Sequence, residues 1–164
     1  MNSSIFIKGI FTFLFALALL SSGGIAQAEV TPEDAAYAQR IGAATQKFTA
    51  AVGDWGILYQ SAPSNFKSAK YKSWMKKAVS SDNQVKAALT EFSKIKVSAG
   101  YKGSDKSMRE FIKSYRAAIT LYAPAIKKND AKLMKKANDA ILKATSLFTK
   151  WSNEFASDSA ALTQ

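Results

Sequence analysis

Histidine and cysteine are both absent from this 164-residue chain, and the two absences remove more chemistry than any residue present supplies. Without them the common protein sites for zinc, copper, haem and iron–sulfur clusters cannot be assembled. Ser-His-Asp and Cys-His nucleophile arrangements are excluded as well, as are disulfide cross-links and a lipid-modified N-terminal cysteine. No metal and no cofactor is expected. Of eight glycines, Gly23-Gly24 lie near the N-terminus, Gly53 and Gly56 flank Trp55, and Gly100 with Gly103 make a turn-sized pair, so no glycine-rich phosphate loop is present. Arginine occurs three times, at Arg40, Arg109 and Arg116, against twenty lysines. Long alternating runs of the β type are missing.

What is present begins with an ordered leader. Lys8 precedes the apolar run Ile10 to Leu20, followed by Ser21-Ser22-Gly23-Gly24 and then Ala26-Gln27-Ala28 before Glu29. That is the order of a secretory signal peptide, with Ala26 and Ala28 as the small residues before the cut. A membrane-spanning helix needs about 20 apolar residues, more than this run holds. The chain is therefore predicted to be secreted or periplasmic, with residues 1–28 removed and 29–164 forming one domain without a transmembrane span. Twenty-two basic residues against twelve acidic ones remain in that domain, and its surroundings feel a positive field.

Periodicity then divides the mature part into four amphipathic stretches. Thr31-Pro32-Glu33-Asp34 is a helix start, with a capping threonine, proline at the first helical position and two acids in the first turn. Ile41, Thr45, Phe48, Val52, Trp55 and Tyr59 follow at spacings of three and four, until Ala62-Pro63 ends the stretch. Ser64 is read as the cap of a second helix carrying Phe66, Tyr71, Trp74, Met75 and Ala78, and later Val85, Leu89 and Phe92. Asp82 falls on its apolar face, and Ser81 with Gln84 fits a capping box, which predicts a kink or restart there. Ser104-Asp105 opens a third helix with Met108, Phe111, Ile112, Tyr115, Ile119 and Tyr122, which Pro124 kinks or stops. Asn129-Asp130 caps a fourth with Leu133, Ala137, Ile141, Ala144, Phe148, Trp151 and Phe155, before a tail from Ser157 expected to fray. The expected helices span about 32–61, 65–97, 105–123 and 130–157. Short connections make consecutive helices antiparallel, so the expected fold is an all-α, up-down-up-down four-helix bundle.

Candidate chemistry is sparse. Met75, Met108 and Met134 sit in apolar stripes, where methionine fills core space. Ser68, Ser73, Ser107 and Ser114 have lysines nearby, but on solvent faces a lysine keeps its charge and cannot act as a base. Most acids fall at caps or exposed turns; Asp54, beside Trp55, and Asp82 are the two whose placement raises a question. Arg40 and Arg116 lie beside the apolar stripes rather than on them. The expectation is a protein that is not an enzyme.

The positive feature is lysine. Lys67, Lys70, Lys72, Lys76 and Lys77 form a cluster with no acid among them, and Lys127, Lys128, Lys132, Lys135 and Lys136 form a second with only Asp130. Each is a candidate polyanion-binding footprint, set against the plainer reading of a solvated helix face. Tyr71 and Trp74 interleave with the first cluster, where they would serve either the core or stacking on a ligand. The partner expected is an acidic macromolecule or surface: cell-envelope polymer, anionic lipid, nucleic acid or acidic protein. A periplasmic chaperone, assembly factor or subunit of an envelope complex is the alternative.

Overall fold

The computed structural model describes residues 30–163; the expected signal segment 1–28, with Ala26 and Ala28, lies outside the described residues. Within them the chain is all-α, with four helices and no strand: α1 Pro32–Gln60, α2 Ala69–Lys94, α3 Lys102–Lys128 and α4 Ala131–Ala161, plus a 3-10 turn at Ala99–Tyr101 that leads into α3.

Local chemistry explains where each helix starts and stops. At α1 the Thr31 hydroxyl accepts from the Asp34 backbone N–H and Pro32 takes the first helical position. The start of α2 differs from expectation: Ser68, not Ser64, is the cap. Asn65 organises a turn first, its side chain accepting from the Lys67 N–H at 3.0 Å and its carbonyl from the Ser68 hydroxyl at 2.7 Å, while Ser68 Oγ accepts from the Tyr71 N–H. Through Ser80–Gln84 the helix continues without interruption, so no restart occurs and Ser81 and Asp82 are buried rather than capping. Pro124 does not stop α3 either. It lies on the exposed side, and the helix runs on to Asn129, whose left-handed backbone (φ 49°) terminates it.

The C-terminal tail is likewise held, not frayed. α4 continues to Ala161, and its last turns reach the 3-10 segment: Asp158 accepts from the Ser104 N–H at 2.9 Å, and Ser159 donates to the Tyr101 hydroxyl at 3.2 Å. Asp34 of α1 accepts from the Gly100 N–H on the other side at 3.1 Å. Two carboxylates from distant parts of the chain thus satisfy orphan N–H groups, one in the 3-10 turn and one in the first turn of α3. A Cβ on Gly100 would stand 2.8 Å from Leu162 and 2.9 Å from the Asp34 carboxylate, and one on Gly103 2.8 Å from Asp158. The glycine pair is there for close approach, a role its spacing did not disclose.

Side-chain hydrogen bonds join successive helices, Trp55 with Asp82, Thr90 with Arg116, and Tyr115 with Thr145 and Tyr122 with Asn138, the last two pairs meeting in reversed order along α3 and α4. Aromatic rings fill the space between. Phe48 of α1 is within 4.9–6.1 Å of Phe92 on α2, Phe111 and Tyr115 on α3, and Phe148 on α4. Trp151, 1% exposed, packs on Phe92, Phe111, Phe148 and Phe155. Met108 is buried in this core, while Met75 and Met134 pack against its margin. With no disulfide available, such burial carries stability: truncating Phe48 or Trp151 to alanine is expected to cost about 3–5 kcal/mol.

Candidate functional site

The two lysine clusters lie about 50 residues or more apart in the sequence and come to the same end of the helices. Tyr59, in the last turn of α1, packs edge-on against Trp74 of α2 at 5.4 Å and Tyr122 of α3 at 5.5 Å. The Tyr122 hydroxyl donates to Asn138 of α4 at 2.7 Å. The end of α1, the start of α2, the end of α3 and the start of α4 are thereby tied together. Lys67, Lys70, Lys72, Lys76 and Lys77 emerge from the first of these junctions, and Lys127, Lys128, Lys132, Lys135 and Lys136 from the second. All ten side chains are exposed.

Little on the protein neutralises them. Among the described residues, only Lys135 of the ten forms an ion pair, with Asp139 at 2.7 Å, and both partners are more than half exposed, so it contributes no more than about 1 kcal/mol. Asp130, the acid inside the second cluster, is committed to capping α4, accepting from the Lys132 and Leu133 N–H groups at 2.9 and 3.1 Å. Neither α2 nor α4 has an acid in its first turn. Helix N-termini favour negative charge; α4 has it in the Asp130 cap, whereas at α2 Lys70 and Lys72 stand where folding alone would place acids.

Tyr71 and Trp74 do not join this surface. They are 6% and 5% exposed, stack on each other at 5.7 Å, and are enclosed by Phe66 and Tyr59. The Trp74 indole N–H donates to the Leu58 carbonyl at 2.9 Å. The reading of these two rings as core is the one realised, and neither presents a free face for stacking a base.

Beneath this end lies the buried carboxylate of Asp82. A single oxygen, Oδ1, accepts from the Trp55 indole N–H and the Tyr59 hydroxyl, each at 2.8 Å. Burial raises its pKa above the usual carboxylate range, with the two hydrogen bonds and the Lys86 charge opposing the rise. Burial beside Asp82 pushes the Tyr59 phenol up as well, and burial raises Tyr122 to about 12. This arrangement clamps α1 to α2. Asp54, the other questioned acid, is exposed on α1.

Ser107 departs from its expected solvent position. It is 3% exposed; its hydroxyl donates to the Glu154 carboxylate and lies 2.9 Å from the Ser104 carbonyl. That bond fastens the start of α3 to the end of α4. Among the described residues no three His, Cys, Asp or Glu side chains converge to hold a metal ion, and no helix is long and apolar enough to cross a membrane. In comparisons with models of protein families, with curated proteins and with solved structures, the chain matches none.

Proposed function

We propose that this chain is an exported, non-enzymatic binding protein, an antiparallel up-down-up-down four-helix bundle left after cleavage behind Ala28, that presents a lysine-rich end to an acidic macromolecule. The observation that carries the reading is the convergence of two sequence-distant, exposed and almost unpaired lysine clusters on one end. Lysine acts as a mobile point charge rather than a bidentate fork, which favours a partner recognised by charge density. Burial of Tyr71 and Trp74 argues against base stacking as a contributor. The partner is thus a phosphate- or carboxylate-rich polymer or surface, among them envelope polymer, anionic lipid, duplex nucleic acid or an acidic protein. The second reading is a periplasmic chaperone, assembly factor or subunit of an envelope complex, which shares the small size and the basic surface; suppression of the aggregation of an unfolded client at substoichiometric to equimolar ratio would favour it.

The test is binding of the protein to a short duplex DNA, to polyphosphate and to anionic vesicles at about 50 and 300 mM salt, since counterion release makes salt the discriminating variable. With five of the ten lysines engaged, log K against log salt should fall with a slope of about −4 to −5 on duplex DNA. Lys67→Glu, Lys70→Glu and Lys77→Glu combined should abolish binding with far-UV circular dichroism unchanged, and Lys128→Glu with Lys132→Glu should weaken it similarly. Binding that survives both sets rejects the site.

A further inference from the structure

Away from the lysine end, α2 and α3 leave between them an open groove of about 350 Å³, lined by Ser93, Met108, Arg109, Ile112, Lys113 and Arg116. Its size is at the small end of the roughly 300–1,000 Å³ typical of ligand clefts. Met108 and Ile112, at 1% and 7% exposure, provide an apolar floor at the edge of the core. Arg109, Lys113 and Arg116 lie one helical turn apart on α3, so they share a face. In a chain with three arginines and twenty lysines, two of the arginines line this one groove.

Of the three cations, Arg109 is paired with Asp105, while Lys113 and Arg116 form no ion pair among the described residues. No carboxylate lines the groove. Asp105 is bound by Arg109, at 2.8 Å to Nε and 3.1 Å to Nη2, and Glu91 pairs with Lys94. Arg116 is half-buried; its Nη2 donates to the Thr90 hydroxyl at 2.7 Å, while its Nε is sealed from solvent without a hydrogen-bond partner. A buried donor left unmet is unfavourable, and a guanidinium edge whose two N–H groups point one way is the geometry that suits a carboxylate.

We propose that this groove binds a small aliphatic carboxylate, its chain lying on Met108 and Ile112 and its carboxylate held between Lys113 Nζ and the Arg116 guanidinium. A modest swing of the guanidinium off Thr90 brings the Nε–Nη2 edge to the ligand, which supplies the acceptor that Nε lacks. The apolar floor selects against hydrated inorganic anions, and the cations select against an uncharged molecule of the same shape. This site is separate in place and chemistry from the lysine end.

Octanoate serves as the probe, titrated into the protein and followed by amide chemical shifts in two-dimensional NMR, with octanamide as the neutral control. Saturable shifts centred on Ser93, Ile112 and Lys113, with octanamide weaker by about tenfold or more, are expected. Arg116→Met should weaken octanoate by a similar factor. Lys113→Glu, a change on an exposed residue that leaves the core untouched, should do the same and keeps the test decisive if Arg116→Met folds poorly. Shifts that do not saturate, equal binding of octanamide, or octanoate affinity unchanged in Lys113→Glu would each overturn the proposal. Both variants should bind duplex DNA as the parent does, so the outcome is independent of the lysine end.

Discussion

Substituting Asp82 by alanine and by asparagine separates two effects that the folded protein superimposes. Alanine removes the acceptor and leaves the Trp55 indole N–H and the Tyr59 hydroxyl, both now 2.8 Å from Oδ1, without a partner in the core. Each orphaned donor costs about 1–3 kcal/mol, and relief from burying a carboxylate offsets part of the sum. A net loss of about 2–4 kcal/mol at pH 7 is expected, which for a domain of this size is a fall in Tm of about 6–20 °C. Asparagine keeps an acceptor oxygen in place and removes the charge, so its stability at pH 7 should lie within about 1 kcal/mol of the parent.

The pH dependence discriminates further. Because the folded pKa of Asp82 is raised above its ordinary value of 3.8, the folded state holds this proton more tightly than the unfolded chain. The stabilisation is complete below the unfolded pKa and is lost as pH rises through the folded pKa. The parent should therefore gain on Asp82→Asn as pH is lowered from 7 to 4, while all other groups cancel in the difference. Urea melts followed by far-UV circular dichroism at pH 4, 5, 6 and 7 measure that difference. A parent-minus-variant stability that stays flat over this range, or an Asp82→Asn as unstable as Asp82→Ala, would refute the assignment of a buried, disfavoured charge.

Other expectations follow from the same structure. Gly53 has open space where a Cβ would go and sits inside α1, so Gly53→Ala should raise stability by about 0.5–1 kcal/mol in a urea melt. Gly103→Ala, by contrast, meets Asp158 at 2.8 Å and should lower Tm while fraying the start of α3, visible as lost amide-exchange protection at Ser104. Asp158→Ala removes the acceptor for that N–H and should cost about 0.5–2 kcal/mol, the scale of a lost helix cap; an unchanged Tm would mean that the C-terminal turns contribute nothing. The Thr31 hydroxyl, donating to Asp34 at 2.6 Å, holds that carboxyl below its ordinary pKa, helped by the Gly100 N–H. Its contribution is present above the unfolded pKa and lost as pH falls through the folded one, so Asp34→Asn should flatten the acid limb of the stability curve below about pH 4.

Helix identity was legible because it is a local property. Spacings of three and four locate the buried stripe of every helix, and Thr31 and Asp130 announce two starts correctly, since capping needs only residues within one turn. Local signals misled where two of them competed. Ser64 and Ser68 are both competent caps, and the Asn65 turn chose between them; Ser81 with Gln84 fits a capping box, yet Ser81 is buried and Asp82 is bound to Trp55 and Tyr59 of α1 within an unbroken α2.

What only the tertiary structure decided concerns partners distant in sequence. Asp82 meets Trp55 and Tyr59 from 27 and 23 residues away, Asp34 reaches Gly100 across 66, and Asp158 reaches Ser104 across 54. No periodicity in a single stretch encodes such contacts. Lysine content was readable from composition alone, and so was the exclusion of histidine- and cysteine-dependent chemistry, because both are counts. That the two lysine clusters share one end, and that Arg109, Lys113 and Arg116 face a groove formed with α2, required helices to be laid beside one another. Charge is a property of residues, whereas a site is a property of their distances, and those distances are set by the aromatic core that fills the space between the helices.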